Sequence, residues 1–470
     1  MTADQNPWSN PTPPTTINNM DNLPLISAPL LDPASKPASA SINAGIPGQL
    51  ATTSATLFQL LCTMAGTGIL QLPFTIAQGG WAALILVVIV GIMTNWTGKL
   101  LIQSLYLNPA GYERIPGYPE IGEAAFGRFG YFFVQFFHKS TLFGVSTIFL
   151  VLAAKFLLEG LGGGGEGILN HAVTFDPSVD WTSVWTLVAG AFVLFPVVYY
   201  RTLGEYHVLS LLGALSTVLA VVVVVFFAIY LNPITADDAN MDDDTYVFSP
   251  PTHKLLDVTL MPSAFSAIVL SFGGAANFPT IEGNMEKPHF FAKTLNKAFI
   301  ILVILYLITA IAGYYTWGDL TFSPILCNLP RGDDVSGRVV QTTKLFVAFH
   351  VLTAYPILMN GLVSEIECKI PFFRSTIPRC IERTTLVGLT CLIAVKVPFF
   401  GPLMTFIGAG CLTMIVFVCP VIFNFRLRSM KKMKIGALEK AAGSVVVIFG
   451  LIGGSIGVAQ STNDLISAFK

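Results

Sequence analysis

The chain has 470 residues, 53% of them hydrophobic and 11% charged, with a mean hydropathy of +0.68. An average soluble domain carries about 25% charged residues, so this balance excludes an ordinary soluble protein and predicts an all-α polytopic membrane protein. A formal net charge of −1, with no basic stripe interleaved with aromatics, gives nucleic acid no footing.

The first element is a tail, residues 1–50, rich in Pro, Ser, Asn and Thr. It cannot bury enough apolar surface to offset its ordering entropy, and is expected to be disordered and cytoplasmic. Within it "DNLPLI" has an acid, Asp21, followed at the fourth and fifth positions by Leu25 and Ile26. That spacing fits the acidic dileucine signal read by sorting adaptors, which favours a vacuolar, lysosomal or vesicular membrane over the plasma membrane. The tail is too long and too polar for a cleavable signal peptide.

Residues 51–470 read as one transmembrane domain. Runs of about 20 apolar residues predict eleven spans, near 55–78, 81–106, 130–158, 183–200, 206–231, 258–278, 296–317, 341–363, 384–400, 402–425 and 441–460. His138, Lys139 and Lys155 interrupt the third and His350 the eighth. With the N-terminus in the cytoplasm, most Lys and Arg outside the spans fall in inner loops, while the acid clusters, "DDANMDDD" among them, fall in outer ones. Positive-inside logic therefore puts residue 1 inside and residue 470 outside.

The first span contains "CTMAGTGILQLPFTIAQGGW", Cys62 to Trp81, with Gly66, Gly68, Pro73 and Gly79 as helix breakers. The sixth contains "SFGGAANFPTIEGNM", Ser271 to Met285, in which Gly274 precedes Pro279 by five residues, as Gly68 precedes Pro73. Five spans separate the two, and an odd number inverts the second copy. The reading is two inverted five-helix repeats, 51–231 and 258–425, with an extra helix at 441–460. Unwound backbone survives at membrane depth only where it lines a cavity or meets a ligand. Free N–H groups near Gly68 and Ile69 would hold a carboxylate, and free carbonyls at Leu270 to Phe272 an ammonium, which together fit an amino acid. Gly79 and Gly80 are expected to make the outer turn into the second span.

"GTGILQLPFTIAQGGW", "TGKLLIQSLY" (Thr97 to Tyr106), "YPEIGEAAFG" (Tyr118 to Gly127), "FPTIEGNMEKP" (Phe278 to Pro288) and "CNLP" (Cys327 to Pro330) closely resemble the amino acid/auxin permease family of eukaryotic amino acid transporters. Within it the pattern is nearest to the vesicular inhibitory amino acid transporters and the vacuolar amino acid transporters, over about residues 50 to 465. The resemblance implies the amino acid/polyamine/organocation superfamily core of two inverted five-helix repeats. It also implies secondary active amino acid transport by alternating access, coupled to protons by symport or antiport, or to sodium. It carries substrate contacts onto Gly66, Thr67, Gly68 and Ile69 in the first span and Ser271, Phe272, Gly273 and Gly274 in the sixth, with Phe272 as an aromatic gate.

Ionisable groups at membrane depth are expensive and are coupling candidates for that reason. Glu282 lies one turn beyond Pro279, and His350 and His138 can titrate near neutrality. In sodium-coupled relatives a hydroxyl of the eighth span meets first-span carbonyls, a position Thr353 resembles. The alternatives for these residues are structural: a carboxylate bonded to a neighbouring helix, a satisfied core histidine, a threonine bonded to its own helix. Lys155 is expected to snorkel outward with Glu159 one turn away. No cofactor or metal site is expected, since the cysteines lack ligand neighbours. An enzyme finds no support, because no Ser, His and Asp constellation shares a face and no loop is long enough for a catalytic domain. "GLGGGGEG" (Gly160 to Gly167) reads as a linker. The other class left open is an amino acid-sensing receptor of the same fold with little flux.

Overall fold

The computed structural model describes residues 50–469 except 112, 163–167, 169–175, 177, 200–206, 232–250 and 330–334. Asp21, Leu25 and Ile26, the acid cluster at 237–244 and most of the glycine linker lie outside the described residues.

The first span is broken where its glycines stand. Helix α1, Thr53–Met64, starts at Thr52, whose hydroxyl accepts from the Ala55 amide. It stops before Gly66, a 3-10 turn over Thr67–Gln71 follows, and α2, Leu72–Gly79, carries Pro73 in its first turn, where the missing N–H costs least. The two halves bend by 44°. Gly80 takes φ +72, a left-handed turn that glycine allows, and leads into α3, Ala82–Leu105.

Helix α4, Tyr118–Leu161, extends twelve residues before the expected third span and is interrupted at Phe126 and Gly127 (φ +64). The turn lets Gly122 and Gly130 meet backbone to backbone, since a Cβ on Gly130 would stand 2.0 Å from the Gly122 carbonyl oxygen. Two helices follow: α5, Trp181–Tyr199, and α6, His207–Leu231. The sixth span is broken as expected, with α7, Met261–Ser271, separated by an irregular segment from α8, Phe278–Gly283. Then come α9, Phe291–Trp317, α10, Val335–Lys369, and α11, Thr376–Lys396.

The tenth expected span departs from a regular helix. Between α12, Phe400–Ile407, and α13, Cys419–Met430, the backbone widens into π turns at Gly408–Leu412 and Met414–Val418. The Thr413 hydroxyl bonds the carbonyl five residues back, at Gly408. A Cβ at Gly408 would lie 2.2 Å from the Ser266 carbonyl oxygen, so α7 presses directly on this segment. Last is α14, Ala437–Ala468.

Among the described residues eight helices are long and apolar enough to cross a membrane, or nine if the bent first pair counts as one span. The chain is a multi-pass membrane protein. Helices also stand at the two remaining expected places, but the apolar part described for α6, Leu215–Tyr230, is short, and α11 carries Arg379, Glu382, Arg383 and Lys396. The described residues contain no β-sheet, only one parallel bridge between Ala51 and Met285.

Backbone bonds clip the two broken spans together at both ends. On one side the Ala51 amide donates to Asn284 (2.8 Å) and the Glu286 amide to Ala51 (2.9 Å). On the other, Trp81 and Ala82 donate to Lys254 (3.0 Å) and Leu255 (2.9 Å), and Asp257 donates to Gly79 (3.2 Å). Helix α9 packs along α1, α2 and α3, so it lies against both halves of the first span.

Candidate functional site

The 3-10 turn at Thr67 sets the chemistry of the first break. Its opening amides, Thr67 and Gly68, have no acceptor within the turn, and no side chain caps Gly66. A Cβ on Gly66 would meet nothing within 4 Å, so there is open space beside the start of this turn.

Gly68 and its neighbours differ from the expectation. A Cβ on Gly68 would stand 2.6 Å from the Ser271 Cα, so Gly68 faces the sixth span and not an open carboxylate position. The Ser271 hydroxyl lies 3.1 Å from the Gly68 carbonyl and 2.9 Å from that of Ala267. The two breaks touch through this glycine. Ile69 is fully buried in the apolar core, so its side chain packs. Gly273 and Gly274 make room for Leu412 and for Met64 and Thr63.

Phe272 also changes role. Its ring is fully buried, stacked on Phe299 at 5.7 Å and against Tyr306 at 4.9 Å, with Gly91 of α3 alongside. In this conformation it packs against these rings. The carbonyls expected to receive an ammonium are engaged as well. Leu270 accepts from Gly273 (3.0 Å), Phe272 from Gly274 (2.8 Å), and Ser271 from the Tyr306 hydroxyl (2.5 Å).

Glu282 is buried, 1% exposed, and tightly paired. The Arg114 guanidinium donates to it from Nε (3.0 Å) and Nη2 (2.7 Å), and the Tyr106 hydroxyl donates to its other oxygen. Arg114 Nη2 also reaches the Pro279 carbonyl at 2.7 Å. Glu282 therefore ties the loop after α3 onto α8, both guanidinium bonds falling on one carboxylate oxygen. Arg114 was missed because nothing local in sequence links it to a residue 168 positions away.

Thr353 donates to the His350 carbonyl at 2.8 Å, within its own helix, and α10 packs chiefly on α4, α6 and α5. The structure does not bring it to the first-span carbonyls. His350 keeps its interest, because its Nδ1 is buried without a hydrogen-bond partner. Lys155 does not pair with Glu159. It donates to the Ser323 carbonyl at 3.1 Å, while Glu159 pairs with buried Lys344 of α10 at 2.7 Å.

Ser323 closes the other side of the site. Its hydroxyl bonds the side chain of fully buried Gln71, and a Cβ on Gly401 of α12 would stand 3.2 Å from it. The segment between α9 and α10 thus joins the first break, α4 and α12 across one mouth of the break region.

These features have relatives. Residues 50–462 match the family pattern described as transmembrane amino acid transporter protein. The chain belongs to this family. Amino acid transporter AVT1I of Arabidopsis thaliana is 25% identical, covering 88% of this chain and 95% of its own. Its paralogue AVT1D is 24% identical, covering 86% and 68%. The vesicular inhibitory amino acid transporter of Xenopus tropicalis is 24% identical over 86% of this chain and 75% of that protein. Among solved structures, MhsT in complex with L-phenylalanine superposes with a TM-score of 0.55 at 12% identity, over 88% of this chain and 99% of that one. That likeness shows a shared fold. Membership agrees with the motifs around both breaks, and the named relatives are transporters rather than enzymes.

Proposed function

We propose that the protein is a secondary active transporter of amino acids, working by alternating access and coupled to protons. The observation that carries this reading is the open face at Gly66, beside an uncapped 3-10 turn, where two broken helices touch at Gly68 and Ser271. Such a place binds a carboxylate. The named relatives support the substrate class.

The same reading takes eleven spans in two inverted five-helix repeats plus one, with the N-terminus in the cytoplasm. It assigns an endomembrane address, supported by the dileucine pattern and by the vesicular relative. Amino acid uptake into proteoliposomes is expected to rise several-fold with an imposed pH gradient and to be unmoved by a sodium gradient. Equal uptake with neither gradient would sink coupling, and binding without counterflow would point to a receptor.

His350 is the residue we assign to the proton. Its ring lies in α10 with Nδ1 buried and without a hydrogen-bond partner, so it has a nitrogen to spare for a proton. His350→Gln is expected to flatten the pH dependence of uptake. A variant with the wild-type pH profile overturns the assignment.

A further inference from the structure

The carbonyl ends of the two broken helices converge on one hydroxyl. Helix α1 ends at Met64 and α7 at Ser271. The Tyr306 oxygen on α9 lies 2.8 Å from the Met64 carbonyl and 2.5 Å from that of Ser271. Tyr306 is fully buried, and Phe272 packs on its ring at 4.9 Å, with Phe299 stacked on Phe272 beyond. Each helix C-terminus carries a partial negative charge of about half an electron. Two such ends brought together away from water repel unless something positive lies between them, and in transporters with broken helices that element is a cation on the unwound carbonyls. Here the space between them is filled by a phenol O–H, which presents a hydrogen and carries no net charge.

We propose that Tyr306 is a positioning residue that stands in for a cation between the two broken helices. Its one hydroxyl hydrogen, shared between the two carbonyls, holds the ends of α1 and α7 in register, so the break keeps its substrate-binding shape with no sodium at this position. The inference rests on the reading of the break as the substrate site. It adds that this site is preorganised by the protein itself. A proton-coupled cycle then needs no ion here, which leaves the coupling group free to sit elsewhere, as on α10.

The test uses the full-length protein in proteoliposomes and in detergent, with sodium chloride compared against choline chloride. Tyr306→Phe removes the hydroxyl alone, taking its donor from the buried Ser271 carbonyl and leaving the Met64 carbonyl with the Gly66 amide only. KM for the amino acid is expected to rise about tenfold, with a smaller change in maximal rate. Tyr306→Ser opens room for an ion and is expected to gain what the wild type lacks, a rise in melting temperature of several degrees in sodium over choline. Its KM should recover in sodium.

Wild-type KM in Tyr306→Phe, sodium dependence of the wild type in either assay, or no sodium shift in Tyr306→Ser each overturns the proposal. If the wild type moves no amino acid at all, the functional reading falls while the melting comparison still decides this one. Monodisperse elution separates misfolded variants, and because Tyr306→Phe is isosteric it keeps the KM arm decisive.

Discussion

Gly68→Val is expected to abolish amino acid uptake while the protein still reaches the membrane. A Cβ there would stand 2.6 Å from the Ser271 Cα, 2.8 Å from its Oγ and 2.9 Å from its Cβ. Backbone atoms cannot rotate away, so valine must push α7 off the first break. Overpacking of this kind costs about 1–3 kcal/mol, and here the strain falls on the Ser271 contact that joins the two breaks. Gly66→Ala is the contrasting variant. Its methyl meets nothing within 4 Å, so the fold should be unaffected while KM rises, because the methyl enters the space proposed for the carboxylate. Uptake kinetics beside melting temperature separate the two. A Gly68→Val protein with normal KM would mean that the break is not the substrate site.

Arg114→Ala should be strongly destabilising. It leaves Glu282, 1% exposed, without its guanidinium. Removing one partner of a buried ion pair costs about 3–5 kcal/mol, and the effect should appear as a melting temperature lowered by many degrees. Glu282→Gln keeps an acceptor for Tyr106 and should be milder. The double variant should lose less than the sum of the singles, since the uncompensated charge is gone. The pH profile of uptake is the discriminating readout. If Glu282 only latches the loop after α3 to α8, Glu282→Gln transports less or melts earlier with an unmoved profile. A flattened profile would mark Glu282 as a coupling group.

Much of the architecture was legible along the chain. The ends of α7 and α8 at Ser271 and Phe278 stand where Gly274 and Pro279 foretold them, because helix breakers act locally on φ, ψ and the backbone hydrogen-bond ladder. The turn at Gly80 was readable for the same reason. The wide turns at Gly408 and Met414 were not, since "GAGCLTMIVFV" reads as unbroken apolar helix and the widening appears beside the close approach of α7 at Ser266. The early start of α4 was missed because "YPEIGEAAFG" lacks a continuous apolar run.

The site divides along the same line. Composition and spacing along the chain determine a membrane protein with two broken helices, since hydropathy and backbone conformation are properties of neighbouring residues. Tertiary packing alone decides that Gly68 faces Ser271, that Phe272 is wedged beside Phe299, that Arg114 holds Glu282, and that Tyr306 caps both carbonyl ends. Each of these joins residues tens to hundreds of positions apart. Whether a buried polar group is a working site or a satisfied structural one depends on the partner it meets, and that partner is named only when the chain has folded.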